Sequence, residues 1–441
     1  MMNNERKIEW FESPSLGERY CRIELPGRPT VYVFPKDMTN TYALVAVKFG
    51  SADNNFIQPG GDEFVTLPDG TAHFLEHKMF ADECGKDAFE TFAALGADSN
   101  AYTSHDRTVY LFNTSERFEE AYTALLHMVT HPCFTEENVG REQGIIAQEI
   151  KMYEDDPDDV CYRNMLKALY SKHPLRREVC GSVASISKIT PGTLYGCHAA
   201  FYNPSNMVTI VCGRADPETV ADIVCREVEP RESVSVIRAA VDEPDEVVLH
   251  RVTVRRQVVK PLFCIGIKDK KPSADPASSR RRRLLISLLN RLLFSTSGEL
   301  YNRLYNDGLL TSPLYYSVEM GDNYSFVILN GSSNDPDKVL ERVLGHIEQL
   351  TSAGNFSADF ERCRRVRLSE IIGRYDSTED IANSMIGCAT RGLDIFEDSR
   401  VVESLKLTEA EELLRELYVP ERFVLSVVLP LEPKKENEVQ K

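Results

Sequence analysis

Two histidines and a glutamate lie close together in the segment Thr71-Ala-His-Phe-Leu-Glu-His-Lys-Met-Phe80. A helix is predicted over 71–80, and it would place His73 and His77 one turn apart on a single face, about 5–6 Å apart at Cβ. Two imidazoles at that separation can bind one Zn²⁺. Glu76 lies at the edge of the same face, where its carboxylate could take a proton from a water that zinc has acidified to a pKa of about 7. The spacing therefore predicts a hydrolytic metal site.

A third ligand is available on a later helix, predicted from Thr135 to just before Pro157. Glu142 and Glu149 are seven residues apart, so both project from nearly one line of this helix. A carboxylate beside a buried apolar stripe is costly unless it faces a charge or a metal. The neighbouring apolar residues are Val139, Ile146, Ile150 and Tyr153. Taken alone, either glutamate could as readily be an ordinary solvated helix charge.

The rest of the chain mixes strands and helices without strict alternation, which favours an α+β fold with mainly antiparallel sheets. The predicted strands are 30–34, 41–49, 100–104, 108–113, 206–213, 247–259, 263–267, 324–330 and 423–428; the other predicted helices are 86–95, 116–129, 217–226, 278–294, 335–351 and 357–374. A polar stretch containing prolines predicts a linker at 232–246. It separates domain 1–231 from domain 247–441, and the similar order of their elements indicates a duplicated fold.

Composition excludes several function classes. The chain has 441 residues, with 51 Lys plus Arg against 68 Asp plus Glu, so its net charge is −17. That balance argues against nucleic acid or an anionic membrane as the main partner. The run 280–283, four arginines, is predicted to be a solvated helix face. No apolar run has the length of a membrane span and the N-terminus lacks a signal-peptide pattern, so we expect a cytoplasmic protein.

The cysteines predict no chemistry of their own. Eleven are scattered singly along the chain, and no Cys-x-x-Cys pair occurs. An odd, dispersed set is typical of small buried apolar residues and not of a disulfide framework or a zinc ribbon.

Together these motifs resemble the M16 metallopeptidases, the family of pitrilysin, insulysin and the mitochondrial processing peptidase. His73-x-x-Glu76-His77 is the family's inverted zinc motif. Glu142-(x)6-Glu149 follows at the family's distance, and further landmarks occur in family order: Phe49-Gly-Ser51, Ser99-Asn-Ala-Tyr-Thr103, His173-Pro174 and Phe201-Tyr-Asn-Pro-Ser-Asn-Met207. The resemblance implies one Zn²⁺ per chain, with His73, His77 and Glu149 as ligands, Glu76 as general base and Glu142 as support.

The resemblance also implies a substrate class. Asn100, Ala101, Tyr102 and Thr103 are similar to the edge strand on which M16 enzymes bind an unfolded peptide as an added strand. From the residues alone, a purely structural strand is an equally good interpretation. The expected activity is that of a zinc endopeptidase acting on peptides or unfolded protein segments.

One departure from the family pattern concerns the partner. M16 chambers have two halves, and the half facing the zinc supplies an Arg and, seven residues later, a Tyr. Here Tyr305 and Ser312 occupy those positions, whereas Arg303, Tyr315 and Tyr316 are out of register and are predicted to be structural. The chain therefore resembles the zinc-bearing subunit of short bacterial M16 heterodimers, whose sister subunit provides Arg and Tyr. A non-catalytic M16-like scaffold subunit is the alternative.

Overall fold

A computed structural model describes residues 6–81 and 87–432. Its first half contains nine described strands: β1 Lys7–Ser13, β2 Glu18–Glu24, β3 Thr30–Pro35, β4 Thr41–Val47, β5 Asn55–Ile57, β6 Phe64–Thr66, β7 Ala97–Thr103, β8 Thr108–Thr114 and β9 Met207–Gly213. Its described helices are α1 Thr71–Met79, α2 Ala88–Ala94, α3 Phe118–Thr130, α4 Glu136–Asp155, α5 Pro157–Leu169, α6 Val183–Ile186, α7 Pro191–Phe201 and α8 Pro217–Glu227. Lys86, the predicted start of the second helix, lies outside the described residues.

The second half follows a short strand, β10 Ile237–Arg238. Its strands are β11 Arg251–Arg256, β12 Leu262–Lys268, β13 Tyr315–Met320, β14 Ser325–Ser332 and β15 Phe423–Pro430. Its described helices are α9 Pro276–Phe294, α10 Glu299–Asn306, α11 Pro336–Ala353, α12 Ser357–Gly373, α13 Thr378–Ala389, α14 Glu397–Ser404 and α15 Leu407–Leu417. The strand predicted over 247–259 is shorter than expected, because only residues 251–256 pair with β15.

The two large sheets share one topology. Within the described residues, the first sheet has the order β1-β2-β3-β9-β4-β8-β7 and the second has β11-β15-β12-β14-β13. The last five strands of the first sheet, β3-β9-β4-β8-β7, are arranged in the same order as the five strands of the second sheet. Each of these five-stranded units contains one parallel pair, β3 with β9 or β11 with β15, and is otherwise antiparallel. The α+β fold with two similar halves is therefore confirmed.

The halves exchange helices. α5 from the first half packs on β12 and β15 of the second sheet, and α13 from the second half packs on β9 and β4 of the first. The contact of α5 is close at Gly266, where a Cβ atom would stand 2.7 Å from Met165 Cγ. Ile381 and Met385 of α13 join the apolar cluster around Tyr42 and Ile210. The two sheets are thus held by shared cores, because each is covered on one face by a helix of the other half.

The segment 232–246 connects the two sheets and is docked along its length. β10 pairs with β5, and Arg238 forms an ion pair with Asp53. Glu243 accepts hydrogen bonds from the backbone of Ser171, Lys172 and His173. The segment is therefore anchored to its surroundings and is not a flexible linker. The domain boundaries assigned from the sequence stay a prediction.

Three further expectations can be compared with the structure. The solvated face predicted for the arginine run is wrong, because Arg280 pairs with Asp398 and Arg282 pairs with Asp269, with only 10% and 18% of their side chains exposed. The ten cysteines in the described ranges are all free, and Cys84 lies outside those ranges. Across the described ranges, no helix combines the length and apolar composition needed to cross a membrane.

Candidate metal centre

α1 carries both histidines, and a glycine fixes where it begins. Gly70 precedes the helix with φ of 91°, a conformation that side chains rarely adopt. A Cβ at this position would stand 2.4 Å from the carbonyl oxygen of Cys180. This close approach sets α1 against the segment 179–181. On the next turns His73 and His77 lie with their ring centroids 4.6 Å apart.

α4 brings the glutamates to α1. Thr135 begins the helix as predicted, with a capping box in which its hydroxyl accepts from the Asn138 N–H. Val139, Ile146 and Ile150 are buried, which turns the line of Glu142 and Glu149 toward α1. Tyr153 was expected in the buried stripe, but it is 37% exposed and borders the metal centre beside Glu149.

His73, His77 and Glu149 converge on one point. Each offers one ligand atom, and these atoms lie within 4.8 Å of one another. The Nε2 atoms of His73 and His77 are each 3.5 Å from a carboxylate oxygen of Glu149. Two ligands about 2.0–2.1 Å from a tetrahedral zinc stand about 3.3–3.4 Å apart, so the spacing fits a shared cation. The three protein ligands would leave a fourth position open, which is the pattern of catalytic and not of structural zinc.

Glu142 has a different position from Glu149. Its carboxylate lies 3.1 Å from Nδ1 of His77 and 3.4 Å from Nζ of Lys78. Burial alone would raise the pKa of Glu142, but the His77 hydrogen bond and the Lys78 charge outweigh it and lower that pKa. A carboxylate on Nδ1 orients the ring so that Nε2 faces a metal. Nδ1 of His73 is also buried but has no hydrogen-bond partner among the described residues.

The centre holds an excess of negative charge. Among the described residues, Glu76, Glu142 and Glu149 face one cation within 4 Å, Lys78, whose side chain is 4% exposed. Arg163 and Arg177 also line the cavity, but they pair with other carboxylates. The hydrogen bond with His73 is the main cause that lowers the pKa of Glu149, against an opposing effect of burial. The surplus of about two carboxylate charges matches a divalent cation.

The Glu76 carboxylate is directed toward β7 of the large sheet. The residue is 8% exposed, and its carboxylate accepts a 2.6 Å hydrogen bond from the Thr103 hydroxyl. Thr103 Oγ1 lies in turn 3.2 Å from Thr108 Oγ1. This bond ties the predicted general base to the last residue of β7. Sequence reasoning did not find it, since no local pattern links residues 76 and 103.

β7 is the edge strand of the large sheet, and within the described residues β8 is its one strand partner. It therefore leaves one row of backbone groups without a strand partner. Asn100, Ala101, Tyr102 and Thr103 all lie on it, as predicted for the strand itself. The Asn100 side chain accepts a hydrogen bond from the Ala101 N–H, so an added peptide strand would have to replace that bond.

A cavity of about 400 Å³ surrounds the predicted ligands, and every lining residue belongs to the segment 73–180. Among the described residues, the second half contributes none of its lining. Tyr305 and Tyr315 are 56% and 61% exposed, and Ser312 is exposed as well. Arg303 pairs with Glu299. Tyr316 packs 6.2 Å from the ring of Phe294. None of these five residues lines the metal cavity.

Comparison with known proteins identifies the family. The model of the insulinase family, peptidase family M16, matches residues 67–183. The model of the peptidase M16 inactive domain matches residues 188–366. The uncharacterized zinc protease YmfH of Bacillus subtilis is 33% identical over 429 residues, which is 96% of this chain and 99% of that protein. This chain belongs to the M16 peptidase family.

Other proteins are similar to this chain over most of their length. A second uncharacterized zinc protease of Bacillus subtilis, YmxG, is 25% identical and covers 82% of this chain and 88% of its own. The crystal structure of an M16-like peptidase from Alicyclobacillus acidocaldarius superposes with a TM-score of 0.90 at 28% identity, covering 96% of this chain and all of that one. A Helicobacter pylori protease with 17% identity and a TM-score of 0.81 shares the fold.

Proposed function

We propose that this M16 protein is a zinc-dependent endopeptidase that cleaves peptides or unfolded protein segments. The observation that carries the proposal is the convergence of His73, His77 and Glu149 beside Glu76 and the edge strand β7, whose outer edge has no strand partner among the described residues. A zinc ion held by these three side chains would polarise a peptide carbonyl and acidify a water molecule. Relatives bearing the name zinc protease support the same metal.

The protein side chains then have distinct tasks. Glu76 accepts the proton of the attacking water and can pass it to the leaving amine, as a general base and then a general acid. The Thr103 hydroxyl, 2.6 Å away, donates a hydrogen bond to the Glu76 carboxylate and holds it in place. Glu142 holds the ring of His77 and leaves its Nε2 free for the metal.

Substrate binding is proposed on β7. An extended peptide can add to its free edge through main-chain hydrogen bonds to Asn100, Ala101, Tyr102 and Thr103, with little demand on side-chain sequence. Because Thr103 also bonds Glu76, a peptide on this edge would run past the general base. A folded protein offers no free extended segment for such pairing, so peptides and unfolded segments are the expected substrates.

The proposed active form is a heterodimer with a sister M16-like subunit. The metal cavity receives no residue from the described second half, and Tyr305 and Ser312 stand where the family's Arg and Tyr are expected. A homodimer could not supply that pair. Losing one preorganised oxyanion donor typically lowers kcat by about 10²–10³, so the chain alone should be slow. The missing pair also favours the alternative, a non-catalytic scaffold subunit.

The test separates these functions. The chain is purified alone and with its co-purifying partner, and both are assayed on a quenched peptide with saturating zinc. We expect the mixture to be faster by about 10² or more. If the lone chain matches the mixture, and its rate disappears in Glu76→Gln, the heterodimer is wrong. If neither preparation cleaves the peptide while zinc is bound, the scaffold function is supported instead.

A further inference from the structure

A second cavity opens beside the metal centre. Its volume is about 430 Å³, and it lies where the turn after β7, the segment 238–242 and residues 322–324 of the second half meet. His105 and Arg177 line both this cavity and the metal cavity. A peptide that runs along β7 past Thr103 would therefore reach this junction cavity within a few residues of the reacting bond.

The junction cavity is rich in basic groups, although the chain as a whole carries a net charge of −17. Its basic lining residues are Lys48, Arg107, Lys172, Arg177, Arg238 and Arg391. The acidic ones are Asp53, Asp106, Asp242 and Asp322. Burial lowers the pKa of His105 to about 4, so its ring adds no charge at neutral pH. The lining thus has two more cations than anions.

Most of these cations are already paired. Arg107 lies 2.7 Å from Asp106, and Arg391 lies 3.0 Å from Asp322. The remaining pairs are Arg238 with Asp53, Arg177 with Asp69, and Lys172 with Asp242. Lys48 differs, because within residues 6–81 and 87–432 no carboxylate forms an ion pair with it.

Lys48 is held at the cavity wall by its backbone. It follows the last residue of β4, and its carbonyl oxygen accepts hydrogen bonds from Asn206 and Arg238. The residue is half-buried. Burial lowers the pKa of Lys48, and the charges of Arg238 and Arg391 lower it further against the opposing effect of Asp322. These three charged neighbours all line the junction cavity, and Asp322 is itself paired with Arg391. Among the described residues, the Lys48 ammonium therefore has no ion-pair partner of its own.

We infer that the junction cavity binds a carboxylate of the peptide substrate through Lys48. This inference rests on the proposed peptidase function and names a preference within it. The carboxylate would come from an acidic side chain or from the peptide C-terminus, since both present the same group. A single unpaired ammonium suits one such charge, and the fixed aspartates at the other cations would repel a polyphosphate.

The test measures binding and not turnover. Glu76→Gln is loaded with zinc, combined with the co-purifying partner and titrated into labelled peptides of one parent sequence. One peptide has its C-terminal carboxylate as the only acidic group. A second set has a C-terminal amide and one glutamate moved along the sequence, and a third has the amide and glutamine only. The affinity of each peptide is also measured for the double variant Glu76→Gln/Lys48→Gln. The control is the double variant Glu76→Gln/Lys338→Gln, which removes an exposed lysine elsewhere.

We expect one carboxylate-bearing peptide to bind about tenfold more tightly than the neutral one, as for a partly desolvated charge pair. The gain in affinity should disappear with Lys48→Gln and persist with Lys338→Gln. The peptide that shows the gain identifies whether the carboxylate comes from an acidic side chain or from the C-terminus. Equal affinities, a gain that survives Lys48→Gln, or stronger competition by inorganic phosphate than by acetate would overturn the inference. Hydrolysis by the wild-type protein is assayed separately. A Lys48-dependent gain without cleavage would refute only the proposed function, and cleavage without the gain would refute only this inference.

Discussion

Glu243 is expected to be a major source of stability, because it joins three parts of the chain. Its carboxylate accepts hydrogen bonds from the backbone N–H groups of Ser171, Lys172 and His173 at 2.7–2.9 Å. It also lies 2.8 Å from Nζ of Lys268, whose side chain is 3% exposed. The segment 232–246 is thereby fixed to both halves, so Glu243→Gln should loosen their junction.

The size of this stabilisation follows from the pKa of Glu243. Burial alone would raise the pKa of Glu243, but Lys268 and the three N–H groups outweigh it and lower the pKa to about 2. A fall from an ordinary value near 4.5 to about 2 corresponds to about 3 kcal/mol of unfolding free energy. Because the folded-state pKa is depressed, this stabilisation is complete above about pH 5 and is lost as the pH falls toward 2. Glu243→Gln should remove most of it at pH 7.

Urea unfolding followed by circular dichroism measures the effect. The difference between wild type and Glu243→Gln should be about 3 kcal/mol at pH 7 and smaller by about 1 kcal/mol at pH 4. Asp242→Asn is the matched control, since Asp242 is fully exposed and 3.7 Å from Lys172. That change should leave the stability essentially unchanged, because an exposed ion pair contributes little. The reasoning is refuted if the two variants are equally stable, or if the Glu243→Gln deficit does not change with pH.

Three further predictions concern the metal centre. His73→Ala and Glu149→Ala should lose zinc in metal analysis, whereas stoichiometric zinc in the double variant would remove these residues from the ligand set. Glu142→Gln should lower zinc affinity or activity by about 10–100-fold, as measured by chelator competition, because it weakens the hold on His77; an unchanged affinity would leave Glu142 as a partner of Lys78 alone. Gly70→Ala should destabilise the protein by more than about 2 kcal/mol, since the new Cβ would meet the Cys180 carbonyl. Gly140→Ala, at a position of α4 with open space around it, should be neutral or stabilising by up to about 1 kcal/mol. Equal effects of the two changes on thermal unfolding would contradict the packing argument.

The local part of this centre was predictable from sequence. The spacing of His73 and His77 required only a helix, and Thr135 carried a recognisable cap for α4. Glu142 and Glu149 could not be told apart by spacing, because both lie on one line of α4. The structure distinguishes them by which nitrogen they face, Nδ1 of His77 for Glu142 and the two Nε2 atoms for Glu149. The family resemblance was needed to assign their roles in advance.

Long-range packing was beyond the sequence patterns. The exchange of α5 and α13 between halves depends on contacts such as Met165 with Gly266, about a hundred residues apart, which leave no periodic signal. The same holds for the arginine run, since the partners Asp398 and Asp269 come from distant segments. The docking of 232–246 was also missed, because a polar composition is typical of linkers whether or not they are anchored.

The proposed function requires that this centre hydrolyses peptides with Glu76 as the general base. The most direct measurement compares wild type and Glu76→Gln, each with the co-purifying partner and matched zinc content, on a quenched peptide. Glu76→Gln should retain zinc and fold, because it is not a predicted ligand, and it should lose about 10²–10⁴-fold in rate. A variant that keeps the wild-type rate would contradict the claim, and one that loses its zinc would make Glu76 a ligand instead.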